Sequence, residues 1–169
     1  MEEITRFQEN MLLIRRAVGW TAEEFGNRIG VTRQTINNLE KNNRDKFKLN
    51  KTQYIAMRSV LDAEIARCPD ETELLRLILE MLVDNPNDYK DEDKQELLDK
   101  ANMITPSILA GTATRKAAST EIVKSMGVVV GGTLAAGALG LGAGLVAGPL
   151  VAGGLGAWLV KAVTSEKKK

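Results

Sequence analysis

The chain contains no histidine, and Cys68 is its one cysteine. Without histidine there is no serine–histidine triad, no imidazole-ligated zinc and no imidazole acid–base catalysis. A single cysteine excludes an internal disulfide framework and a thiolate zinc cluster. Net charge is nearly absent as well, at +1 from 23 basic and 22 acidic side chains. That rules out a globally basic nucleic-acid protein and a globally acidic chain as descriptions of the whole. The first ten residues, MEEITRFQEN, start acidic and lack the apolar core of a secretory signal, so synthesis in a reducing cytoplasm is expected. What remains is 169 residues, enough for one or two domains and a real core. Nothing in it supports an enzyme, and no catalytic residue, cofactor or metal site is expected.

The near-zero total hides segregation. Residues 1–67 are net +3, residues 68–100 net −7, residues 101–124 net +2 and residues 125–169 net +3. From Ser125 to Val160 no side chain is charged, and this stretch holds eleven glycines, seven alanines, seven leucines and six valines. The chain therefore divides into a basic head (1–67), an acidic helical pair (68–104), a basic neck helix (105–124), an apolar glycine-rich segment (125–163) and a basic end (164–169). No long tandem repeat is visible.

In the head, Ile4, Phe7, Met11, Ile14 and Val18 recur at three- and four-residue spacing, which predicts one helix over 4–18 ended by Gly19. Thr21-Ala22-Glu23-Glu24 has the form of a capping box and opens a second, short helix with Phe25 and Ile29 inward. Gly30 ends it, at a position that calls for positive φ. Thr32 caps a third helix that buries Ile36 and Leu39 and leaves Arg33, Gln34, Thr35, Asn37, Asn38 and Lys41 outward. Two short helices about a glycine turn, the second presenting such residues, suit base edges and phosphates. Arginine pairs with guanine in two bonds, and glutamine or asparagine with adenine.

The stretch from Ile14 to Asn42, IRRAVGWTAEEFGNRIGVTRQTINNLEKN, resembles the phage-repressor (Cro/repressor-like, XRE) type of helix-turn-helix. Thr21, Glu24, the small Gly26 where the first helix is closely approached, Gly30-Val31-Thr32, Arg33-Gln34-Thr35-Ile36 and Leu39-Glu40 match it in register. The resemblance implies that Arg33, Gln34 and Asn38 face base edges of duplex DNA in the major groove. It implies that Thr32, Thr35, Lys41 and Asn43 lie near the phosphates. Ala22 departs from the pattern, since the family often has glutamine or arginine there to hold a phosphate. The alternatives are a packed scaffold, or a protein-binding module without DNA. The following Arg44, Lys46, Lys48 and Lys51 form a basic loop that is either a phosphate contact or solvated surface. Residues 52–67 read as an amphipathic helix with Ile55, Met57, Val60, Leu61 and Ile65 inward.

Beyond the head, Pro69-Asp70 opens a helix whose stripe of Leu74, Leu75, Leu77, Ile78, Leu79, Met81 and Leu82 is wide enough to need more than one neighbour. Asn85-Pro86-Asn87-Asp88 is a turn, and residues 91–104 form a helix with Leu97, Leu98, Ala101 and Ile104 inward. Thr105-Pro106 reads as a further helix start, cap then proline. The acidic residues 88–93 lack the glycine and spacing of a calcium loop.

The uncharged segment of 36 residues would be about 54 Å long as one helix, against about 30 Å of bilayer hydrocarbon. That is too long for one crossing and near the length of two short ones, with turns allowed at Gly142 to Gly144 or Gly148-Pro149. Arg115, Lys116 and Lys124 precede it and Lys161 and Lys167 to Lys169 follow it, which places both ends in the cytoplasm and predicts a hairpin. Its thirteen leucines and valines contribute roughly −4 to −8 kcal/mol to insertion, partly cancelled by glycine and proline. Gly132, Ala136, Gly140, Gly144, Gly148, Ala152 and Gly156 recur every four residues as a ridge that lets helices pack closely in lipid. The segment resembles glycine-zipper membrane segments. A flexible linker and a soluble buried hairpin are the other readings.

The expected fold is all-α: a repressor-type helix-turn-helix bundle, further amphipathic helices and a C-terminal Gly/Ala-rich helical hairpin. The expected function is a DNA-binding transcriptional regulator whose tail associates with the cytoplasmic membrane or self-assembles. Its partners would be duplex DNA, a lipid bilayer and further copies of the chain. The reading from another class is a membrane-perturbing oligomeric effector with the head as a sensing or docking module, and a third is a soluble oligomeric regulator.

Overall fold

Phe7, Met11 and Ile14 are fully buried on the face that their spacing predicts, but they lie on two helices. The first, α1, is Glu2–Glu9 and the second, α2, is Met11–Ala17. The predicted single helix 4–18 is interrupted at Asn10, whose side-chain amide donates to Arg6 O at 2.9 Å. An asparagine amide offers the backbone an alternative partner, which is why the residue disfavours helix interiors. This computed structural model describes residues 2–41 and 46–127. Asn43, Arg44 and the whole period-four ridge from Gly132 to Gly156 lie outside those residues.

Helix α3 is Ala22–Ile29, α4 is Arg33–Glu40 and α5 is Lys51–Arg67. The start of α5 is fixed by a reciprocal cap: Asn50 Oδ1 accepts from Gln53 N at 2.8 Å, and Asn50 N donates to Gln53 Oε1 at 3.3 Å. The inward face of α5 differs from the expected one. Tyr54, Arg58 and Glu64 are buried along with Met57 and Leu61, while Ile55, Val60 and Ile65 are half-buried. The two charges go inside because each has an ionic partner. Arg58 makes two bonds to Asp84 at 2.7 and 2.6 Å, and Glu64 accepts from Arg115 at 2.7 Å.

A 3-10 turn over Pro69–Glu71 leads to α6, Glu73–Leu79, which widens into a π turn at Glu80–Asp84. Every leucine of the stripe is buried, and its neighbours are α2, α5 and α8, the last defined below. A second 3-10 turn, Pro86–Asp88, precedes α7, Asp91–Leu109. Here the expected start at Thr105-Pro106 is corrected. Helix α7 runs through both residues, and Thr105 is fully buried inside it. A proline within a helix removes one backbone bond and clashes with the preceding turn. It is tolerated here on the exposed side, one residue from the packed face. The neck helix, α8, is Arg115–Ser125 and starts instead at Thr114, whose hydroxyl accepts from Ala117 N at 3.2 Å.

The described residues form helices joined by turns and short irregular segments, with no strand among them. Helices α6 and α7 pack on α2, α6 also on α5, the π turn on α1, and α8 on α6 and α7, so head, acidic segment and neck form one unit that ends near residue 130. Among the described residues no helix is long and apolar enough to cross a membrane.

Candidate nucleic-acid interface

The interface is built around a sharp joint between α3 and α4. Thr21 caps α3: its hydroxyl accepts from Glu24 N at 3.1 Å, and Glu24 Oε2 accepts from Thr21 N at 2.7 Å. The Thr21 backbone N–H first, and then the Thr21 hydroxyl acting on the carboxyl itself, hold Glu24 below the usual glutamate range. Gly30 ends α3 at φ +75°, the left-handed conformation its sequence position calls for. The chain then turns back so closely that a Cβ on Gly26 would lie 2.6 Å from Val31 O. Thr32 caps α4, its hydroxyl accepting from Thr35 N at 3.2 Å. Ile36 and Leu39 are buried beneath α4.

The other side of α4 is open. Thr32, Arg33, Gln34 and Lys41 are exposed, and Thr35 and Asn38 are half-buried. Its main neighbours are α1, α2 and α3, so the acidic helices α6 and α7 pack elsewhere on the head. Thus Arg33, Gln34 and Asn38, with Thr32, Thr35 and Lys41, belong to one short helix and its two ends. Two internal bonds order the face. Gln34 Nε2 donates to Asn38 Oδ1 at 2.9 Å, and the Thr32 and Thr35 hydroxyls lie 3.0 Å apart. Asn43 lies outside the described residues. Lys46 and Lys48 of the following loop are exposed. Ala22 is buried, so the position where the resemblance leads one to look for a phosphate contact faces the core.

Three residues hold α4 in place, and of these only Glu40 belongs to the motif. Arg15 and Glu40 form a buried two-bond ion pair at 2.5 and 2.9 Å, and Arg15 also donates to Trp20 O at 2.8 Å. This joins the end of α4 to α2 and keeps an acidic side chain off the outward face. Gln8 is buried and meets three backbone groups. Its amide donates to Leu39 O at 3.1 Å and to Phe47 O at 2.7 Å, and its oxygen accepts from Leu49 N at 2.9 Å. It therefore fixes where the chain leaves α4 and where it returns. The sequence gives no distinctive signal for Gln8 and Arg15, which lie one position from Phe7 and Ile14 on the flank of the apolar face. Trp20 is also buried, with the Arg28 guanidinium 4.0 Å from its ring centroid.

A capped helix, a glycine turn in near contact and a second helix with an open polar face define the arrangement. Residues 12–50 match the family model of the helix-turn-helix. That family is one of DNA-binding regulators and not of enzymes. No curated protein and no solved structure matches the chain. The helix-turn-helix match spans most of α2, all of α3 and α4, and the basic loop as far as Asn50, so it leaves out Lys51, which begins α5.

Proposed function

We propose that the chain is a DNA-binding transcriptional regulator that reads the major groove with α4, and that its glycine-rich tail attaches it to the cytoplasmic membrane or to other copies of itself. The observation that carries the first part is the outward face of α4 on a complete helix-turn-helix, with its acidic Glu40 neutralised by Arg15. In this reading Arg33, Gln34 and Asn38 meet base edges. Thr32, Thr35, Lys41 and Asn43 meet phosphates, which position the protein and carry no sequence information. Support for the second part comes from composition: 36 uncharged residues with basic flanks and a period-four ridge of glycine and alanine. In lipid that ridge serves helix–helix contact. A duplex-DNA titration of the full-length protein over a salt series tests the first part. Binding should weaken as salt rises, and Lys41→Ala should flatten the logarithmic salt slope by about one unit for the lost phosphate contact. Salt-independent binding, or none, removes the DNA reading and leaves the membrane-active effector with a docking head.

A further inference from the structure

We propose that Asn38 is a positioning residue for Gln34, and that the two divide the reading of two nearby bases, Gln34 taking an adenine and Asn38 an acceptor edge of guanine or thymine. This rests on the DNA reading above and adds to it which chemistry each residue recognises. A carboxamide has one acceptor oxygen and one nitrogen with two donor hydrogens. The Asn38 oxygen is already committed. Gln34 Nε2 donates to it at 2.9 Å, and the Lys41 ammonium lies 3.5 Å from the same atom. What Asn38 keeps to offer a base is its NH2 group. Donors alone suit guanine O6 and N7 or thymine O4, whereas adenine presents an acceptor at N7 and a donor at N6.

Gln34 is left with the complementary set. One of its two N–H bonds goes to Asn38, so the second N–H and the Oε1 acceptor stay free of that contact on an exposed side chain. A donor beside an acceptor is what adenine N7 and N6 require. The terminal torsion of a glutamine is broad and nearly two-fold, so an untethered amide presents either edge. The bond to Asn38, reinforced by Lys41, distinguishes the nitrogen from the oxygen before DNA arrives. Asn38 therefore acts on the adenine through Gln34 and on its own base directly.

Selection of bound sequences from a random duplex library by the full-length protein tests this, with Gln34→Ala, Asn38→Ala and Asn38→Asp run beside it. Aspartate retains an oxygen for Gln34 and Lys41 but has no outward donor, so it separates positioning from contact. The wild type should select adenine at one position and guanine or thymine at a nearby one. Gln34→Ala should lose the adenine preference and, with Lys41 alone left on the Asn38 oxygen, weaken but not abolish the preference for guanine or thymine. Asn38→Ala should lose its own base preference and about tenfold of the adenine discrimination, the scale of one good two-bond contact. Asn38→Asp should lose its own preference and keep that for adenine, even though its charge lowers affinity for all sequences. Unchanged adenine discrimination in Asn38→Ala overturns the proposal, as does its loss in Asn38→Asp or an adenine preference that follows Asn38 instead of Gln34. Salt-dependent binding without any sequence selection overturns the proposal and leaves DNA binding standing. Absence of DNA binding overturns both.

Discussion

Gly26 and Gly30 lie four residues apart and serve the joint for different reasons. At Gly26 the constraint is space, because a Cβ would meet the Val31 carbonyl at 2.6 Å. At Gly30 the constraint is the dihedral, since φ is +75° and nothing lies within 4 Å of the added atom. Gly26→Ala must push α4 away from α3, at about 1–3 kcal/mol, the usual range for overpacking. Gly30→Ala pays only the left-handed backbone, about 1–2 kcal/mol. Denaturant midpoints should place both variants below wild type. DNA affinity measured on the folded proteins should fall more for Gly26→Ala, and equal affinities would refute the close-contact account. The Arg15–Glu40 pair gives a second test. Arg15→Met leaves Glu40 buried without its partner and should cost about 3–5 kcal/mol, while Arg15→Met with Glu40→Leu should recover most of that. A double variant no more stable than the single would show that the pair holds nothing by itself. The caps and glycines of this joint are legible in the sequence because each acts within a few residues of itself. Gln8 and Arg15 are not, because their partners lie 25 to 41 positions away and a polar residue flanking an apolar face reads as solvated.

At the scale of elements, one side chain of the neck helix α8 reaches three parts of the chain before it. Arg115 donates to Val18 O at 3.3 Å, to Glu64 at 2.7 Å and to Glu71 at 2.5 Å, and so touches the end of α2, α5 and the turn before α6. Burial disfavours the charge on Glu64, but bonds from Arg115 and Arg67 outweigh it and hold the carboxyl below the usual glutamate range. A carboxyl with a lowered folded value stabilises the fold above its unfolded value and loses that contribution as pH falls through the folded one. Unfolding free energy should therefore fall as pH drops below about 4.3, the ordinary glutamate value. Glu64→Gln should lower stability at neutral pH and flatten the decline in that acid window. An unchanged acid slope would mean that Glu64 is not a source of it. Helix spans and the leucine stripe are legible from periodicity. The break at Asn10 and the passage of α7 through Pro106 are not, because each is decided by a competing local bond or by packing against other helices, not by period. The inward turn of Arg58 and Glu64 is hidden for the same reason, since only the packed neighbours supply Asp84 and Arg115.

For the whole molecule, α6, the π turn and α7 pack on α1, α2 and α5, with α8 behind them, so the head is one part of a larger unit. The tail follows that unit in sequence, and the proposal for it rests on composition alone. Fractionation of cells expressing the full chain should leave it in membranes after an alkaline wash, with reporters at residues 1 and 169 both on the cytoplasmic side. Complete release by the wash would leave only peripheral or soluble association. The central claim is narrower: α4 reads bases. The most direct measurement is the affinity of full-length wild type, Arg33→Ala and Gln34→Ala for the duplex that wild type selects and for random duplex, at one salt concentration. Each variant should lose about 1–3 kcal/mol on the selected duplex and much less on random DNA. Equal losses on both duplexes, or no loss on either, would contradict it.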